Sequence, residues 1–256
     1  MYNTVILEKK TGYAIITMNR PREMNALCRE MRVELDAVLD VLENDDDVKA
    51  LIITGGDYVF SAGMDIKEMA ALADHEVGEY FESILKYLRK IYTYNKPVIA
   101  AVGGIALGGG FNIATVCDLI VASESAIFGH PELKFGLNPL FSPLRNLVGM
   151  AKAKEISMLG EPIGAKEALR IGLVNKVATP ERFMAEAVAM AEGLAARSDK
   201  AISAVKKLSV VTEKLDKQSA LEMEFEVMVH LFSSPERKIR MSEFMTKEYL
   251  SKMKKG

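Results

Sequence analysis

Cysteine is scarce: this chain of 256 residues holds only Cys28 and Cys117. They lie far apart, form no CxxC pair and have no histidine at metal-ligand spacing, which excludes a disulfide scaffold and a cysteine-based metal site. Long apolar runs are also missing; none approaches the roughly 18 residues of a membrane span. The N-terminal MYNTVILEKKTGY alternates and turns where a signal peptide would carry an apolar block. Nor is there a surplus of either charge. With 33 basic against 35 acidic side chains, net −2, the chain lacks the basic excess of a general nucleic-acid binder. The 49% hydrophobic content excludes a disordered chain and suffices for a sizeable core. The expectation is a cytoplasmic protein in a reducing compartment, without nucleic-acid or membrane partners.

What is present alternates between strand and helix. Val5–Leu7 and Ala14–Thr17 read as a hairpin turning at Lys9-Lys10-Thr11-Gly12. Apolar residues at Leu27, Met31, Leu35, Val38, Leu39 and Leu42 recur at helical spacing. Ala50–Thr54, Pro97–Val102 and Leu119–Ala122 read as buried strands, the first apolar on both faces as a parallel strand is. Helical stretches around Ile66–Leu72 and Val77–Tyr92 separate the first two. Such alternation predicts an α/β fold with right-handed crossovers. Beyond about residue 145 nearly every segment is helical, Leu173–Val177 excepted, and the amphipathic, Met-bearing helices suit packing on the domain or on a sister subunit. No repeat is visible. The predicted division is 1–195 for the core and 196–256 for a helical C-terminal region.

Two glycine-bearing segments follow buried strands: Phe60-Ser61-Ala62-Gly63-Met64-Asp65-Ile66 and Gly103-Gly104-Ile105-Ala106-Leu107-Gly108-Gly109-Gly110-Phe111-Asn112. Each places unhindered main chain where a helix begins, and N–H groups there lack intrahelical partners. Two such amides converging on one point make an oxyanion hole. Neither segment has the GxGxxG order of a dinucleotide fingerprint or the GK[ST] of a P-loop.

These segments, with Asn19-Arg20-Pro21, Asn25-Ala26-Leu27, Cys117-Asp118, Phe128-Gly129, Pro131-Glu132 and Gly172-Leu173-Val174, resemble the crotonase superfamily, the enoyl-CoA hydratase/isomerase group, over about residues 3 to 250. The resemblance implies a spiral of repeated ββα units, a helical C-terminal region that packs trimers or dimers of trimers, and an acyl-CoA thioester as substrate with no separate cofactor and no metal. It places the oxyanion hole at the main-chain amides of Met64 and Gly109 and a catalytic carboxylate at Glu132. It assigns the CoA adenine to Ala62, Asp65 and Ile66, and CoA phosphates to Arg22. Phe244 and Lys247 match an aromatic-plus-basic ending that reaches a neighbouring subunit's nucleotide.

The chain departs from the hydratase pattern at one of its two glutamates, where it has Asn112. An amide orients a water or a carbonyl but exchanges no proton near neutral pH. The bulky Asn138-Pro139-Leu140-Phe141-Ser142-Pro143-Leu144 replaces a Gly-rich stretch, so Leu140 is expected to narrow and dry the acyl pocket and to raise the pKa of Glu132. One carboxylate in a dry site makes Δ3-to-Δ2 enoyl-CoA isomerisation the leading expectation. The alternatives are single-glutamate hydration of an enoyl-, dienoyl- or aryl-enoyl-CoA, other enolate chemistry, and an inactive CoA-binding protein. Asn112 also suits a helix cap, His130 a half-buried histidine with a backbone partner, and Tyr58 a packing role.

Overall fold

The computed structural model describes residues 2–246. The chain forms two units that divide between Asp199 and Lys200.

The first unit opens with strands β1 (Val5–Lys10) and β2 (Gly12–Met18) and helix α1 (Arg29–Glu43). Then come β3 (Val48–Thr54), β4 (Val59–Ser61), α2 (Ile66–Ala71) and α3 (Val77–Tyr92). The next group is β5 (Val98–Val102), β6 (Ile105–Leu107) and α4 (Gly109–Val116), followed by β7 (Leu119–Ser123), β8 (Ile127–Gly129) and α5 (Phe141–Leu159). It closes with β9 (Ile163–Gly164), α6 (Ala165–Arg170), β10 (Lys176–Ala178) and α7 (Phe183–Ala195). Three successive ββα turns are therefore present. The first strand of each turn (β3, β5, β7) joins a six-stranded sheet of order β1-β2-β3-β5-β7-β10. The second (β4, β6, β8) joins a four-stranded sheet of order β4-β6-β8-β9. Pairing is parallel except at β1–β2 and β8–β9. The architecture is the expected spiral.

Burial explains why β3, β5 and β7 read as unbroken apolar runs. Leu51, Ile53, Val98, Ala100 and Val102 belong to the main core, where α1 and α3 contribute Leu35, Leu39, Tyr87 and Ile91. Their alternates Ala50, Ile52, Ile99, Ala101 and Val121 form a second cluster with Phe183, Ala187 and Ala191 of α7. Two alanines one turn apart let α7 approach the sheet closely while Phe183 fills the remaining space. The strand expected at 173–177 sits slightly later, at β10. Helix α5 begins at Phe141 rather than near 151 and breaks at Gly149, whose φ of 77° is non-helical. Tyr58 is 87% exposed, which corrects its expected packing role.

The second unit is helical, with α8 (Asp199–Val211) entering it, then α9 (Lys217–Phe232) and α10 (Pro235–Met245). Asp216 caps α9 by accepting from the Gln218 and Ser219 amides. Leu221, Phe225, Met228 and Phe232 of α9 and Ile239 of α10 are exposed. No helix among the described residues is long and apolar enough to cross a membrane.

Candidate active site

The small sheet brings the two glycine segments into contact. A Cβ added to Gly110 would lie 2.2 Å from the Ser61 carbonyl oxygen, so glycine is required for the loops to meet. A Cβ added to Gly109 would lie 3.5 Å from the Met64 main-chain nitrogen, and one added to Gly63 would lie 3.1 Å from the Gly109 nitrogen. The amides of Met64 and Gly109 therefore stand beside one another. Gly109 heads α4, so its N–H has no partner within its helix. The bridge between Leu27 and Met64 runs from the Leu27 N–H to the Gly63 carbonyl and leaves the Met64 N–H unused. Two adjacent free donors are what a developing oxyanion needs.

The segment 20–27 holds the first loop from behind. Asn25 is fully buried, accepts from the Arg20 N–H at 2.8 Å and donates to the carbonyls of Gly55 (3.0 Å) and Val59 (2.9 Å). Its φ of 51° is a left-handed conformation that Asn tolerates better than most residues. The Asn25 carbonyl in turn accepts from Ser61 Oγ at 2.8 Å, and Ser61 Oγ accepts from the Gly63 N–H at 3.2 Å. Asn25→Ala is expected to orphan these groups and cost about 1–3 kcal/mol, read as a lower urea midpoint at unchanged m-value.

Glu132 enters from the other side, on a short 3-10 turn (Glu132–Phe135) just after β8. A Cβ added to Gly108 would lie 3.6 Å from Glu132 Oε1, so the carboxylate sits against the oxyanion loop. Both its oxygens are buried without a hydrogen-bond partner. That burial pushes its pKa above the usual glutamate value, and its own backbone N–H and the nearby Asn112 side chain offset only part of the rise without forming a regular hydrogen bond. An unpaired buried carboxylate is costly to stability and is found where proton transfer is wanted.

Asn112 lies in the first turn of α4, whose N-cap is Gly108 with no side-chain cap, so Asn112 is no cap, contrary to one expectation. Its Oδ1 lies 3.1 Å from His130 Nε2, and His130 Nδ1 lies 3.3 Å from Ser157 Oγ on α5. His130 is fully buried, against Phe111 with ring centroids 4.6 Å apart, rather than half-buried with a backbone partner. Burial lowers its pKa to about 4, so the ring is neutral at pH 7.

Met64, Gly109, Glu132 and Asn112 are thus brought together. Leu140 is half-buried at the start of α5 and packs against the main core. Asp65 already has partners: it caps α2 through the Lys67 and Glu68 amides and pairs with Arg20 at 3.1 Å. Its pKa is lowered, burial being outweighed by the Arg20 bond and by backbone donors. Ala62 is half-buried and gives its N–H to the Met24 carbonyl, so only its carbonyl is left to meet a ligand there. Ile66 and Arg22 are exposed. Phe244 is partly exposed on α10 in the second unit, and Lys247 lies outside the described residues. Arg20, Asn25 and Ser157 were missed as site-supporting residues. The first two lie within the Asn19-Arg20-Pro21 and Asn25-Ala26-Leu27 motifs, whereas Ser157 carried no local signal. No group of three potential metal ligands occurs among the described residues.

Comparison with known proteins places nearly the whole chain in one family. Residues 8–253 match the enoyl-CoA hydratase/isomerase family. The chain is 40% identical to a short-chain-enoyl-CoA hydratase of Clostridium acetobutylicum over 256 residues, 98% of each chain. It is 37% identical to a crotonyl-CoA hydratase of Syntrophomonas wolfei over 250 residues, 96% of each. The crystal structure of an enoyl-CoA hydratase from Bacillus anthracis superposes with a TM-score of 0.91 at 29% identity, covering 94% of this chain and 96% of that one. The chain therefore belongs to the enoyl-CoA hydratase/isomerase family of enzymes.

Proposed function

We propose that the chain hydrates a 2-enoyl-CoA thioester, with Glu132 as its one acid/base. This replaces isomerisation as the favoured reading. The observation that carries it is a buried, unpaired carboxylate beside two free main-chain amides, with a polar amide rather than an apolar residue facing it. The names of the similar proteins, which specify hydratases, support the same choice.

In this reading the thioester oxygen accepts from the Met64 and Gly109 N–H groups, each worth about 2.7–4 kcal/mol in the transition state. A water held by the Asn112 side chain loses a proton to Glu132 as its oxygen adds to C3. The electron pair moves to the thioester oxygen, and Glu132 returns the proton to C2, giving a 3-hydroxyacyl-CoA. The step needs no further cofactor, since the amides hold the charge and Glu132 moves the proton. Arg22, Ala62, Ile66 and the Asp65 main chain are the proposed CoA contacts, joined by Phe244 and Lys247 from a neighbouring copy. The exposed apolar residues of α9 and α10 support packing between copies. Light scattering is expected to give three or six copies of the 28.2 kDa chain; a monomer at micromolar concentration would refute this.

The deciding assay follows the conjugated thioester absorbance. Hydration makes it fall with crotonyl-CoA, whereas isomerisation makes it rise with a 3-enoyl-CoA. A rise with the second substrate and no change with the first would overturn the proposal. No change with either, despite CoA binding, would indicate an inactive binding protein.

A further inference from the structure

We infer that His130, held by Ser157, is a positioning residue that turns the Asn112 amide so that its NH2 group faces Glu132 and the reacting water. The inference rests on the hydration reading, and it gives a role to His130 and Ser157, which act through Asn112 and not on substrate or water.

The hydrogen-bond inventory leaves one consistent arrangement. Asn112 Oδ1 can only accept, so His130 Nε2, 3.1 Å away, must carry the proton. The ring is neutral, so Nδ1 is then a bare acceptor and takes the Ser157 Oγ hydrogen at 3.3 Å. With its oxygen turned toward His130, Asn112 presents its NH2 group to the other side, toward Glu132. The flipped amide would aim a carbonyl dipole at a carboxylate whose two oxygens are buried and unpartnered, which electrostatics opposes. The Phe111 ring at 4.6 Å, itself against Phe128, fixes the imidazole plane. Among the described residues, no ion pair reaches this chain of groups. Burial alone acts on His130, and burial, its own backbone and Asn112 act on Glu132.

The consequence is directional. A donor facing Glu132 favours its ionised form, the form that accepts a proton, and offers water an N–H so that the lone pair needed for attack lies elsewhere. Without His130 the amide is free to turn.

The test compares kcat, KM and the pH dependence of kcat/KM for wild type, His130→Phe and His130→Gln with crotonyl-CoA. His130→Phe is expected to lower kcat about 10–100-fold, by analogy with the loss of an outer hydrogen-bond partner of a metal ligand, with KM nearly unchanged. Its acid limb should move to higher pH, because a carbonyl now able to face Glu132 raises the carboxylate's pKa. His130→Gln keeps an N–H donor and should restore most of the rate and the original limb. A folded His130→Phe protein with an unmoved limb would overturn the inference. Nitrogen NMR of the wild-type imidazole decides the matter even if that variant does not fold. Nε2 protonated and Nδ1 bare at pH 7, unchanged to pH 5, is expected; the opposite tautomer, or titration in that range, refutes it. This readout needs no turnover, so it stands apart from the parent reading, which fails instead if Glu132→Gln retains activity.

Discussion

Glu132→Gln is expected to lower kcat for crotonyl-CoA hydration by about 10²–10⁴-fold, the contribution of a positioned general acid/base. Glutamine keeps the volume and polarity of the side chain but neither takes nor returns a proton. In the wild type, the acid limb of kcat/KM should lie above the ordinary glutamate pKa, since burial raises that of Glu132 and only the ionised form accepts the water proton. The stability effect has the opposite sign. A carboxylate with a raised folded-state pKa costs nothing below its unfolded pKa, where both states are protonated. Its penalty is complete once pH has risen through the folded value. Glu132→Gln should therefore be at least as heat-stable as wild type at neutral pH while nearly inactive. Melting scans alongside initial rates at pH 7 check both parts. A variant that keeps its rate would remove Glu132 from the chemistry.

Gly110→Ala is expected to be nearly as damaging by a purely geometric route. The new methyl would lie 2.2 Å from the Ser61 carbonyl oxygen and 2.7 Å from Ser61 Cβ. Ser61 cannot withdraw freely, because its hydroxyl is tied to the Asn25 carbonyl and the Gly63 amide. The loops must part, and the Met64 and Gly109 amides no longer stand side by side. Loss of one oxyanion donor costs about 10²–10³ in rate, and overpacking adds about 1–3 kcal/mol of destabilisation. Gly164→Ala is the matched control, since its added methyl meets nothing within 4 Å. It should leave kcat unchanged. Equal losses in both variants would mean that the contact between the loops is not what sets the rate.

The residues that announced themselves in the sequence were those with unusual composition for their place. The strands of the large sheet were legible because burial on both faces demands apolar runs, as at Leu51–Ile53 and Val98–Val102. Gly110 was legible because its approach to the Ser61 carbonyl leaves no room for a side chain, and Gly63 and Gly108 because their φ of 106° and 51° favours glycine. The second strands of the ββα turns were not: Val59–Ser61, Ile105–Leu107 and Ile127–Gly129 span three residues each, too few to show a period. Their pairing depends on neighbours distant in the chain. Asn112 was visible as a departure from a family pattern, but its side-chain direction was not.

The amino-acid order alone thus determined the α/β alternation and the enoyl-CoA hydratase/isomerase family, and it named the candidates for holding an oxyanion or moving a proton. Those properties follow from residue chemistry and short-range spacing. Only the tertiary structure decided that Ser61 meets Gly110, that both Glu132 oxygens are sealed from partners, and that Ser157 reaches Asn112 through His130. Each joins residues far apart in the chain, and such contacts are set by how the two sheets and α5 pack around one core.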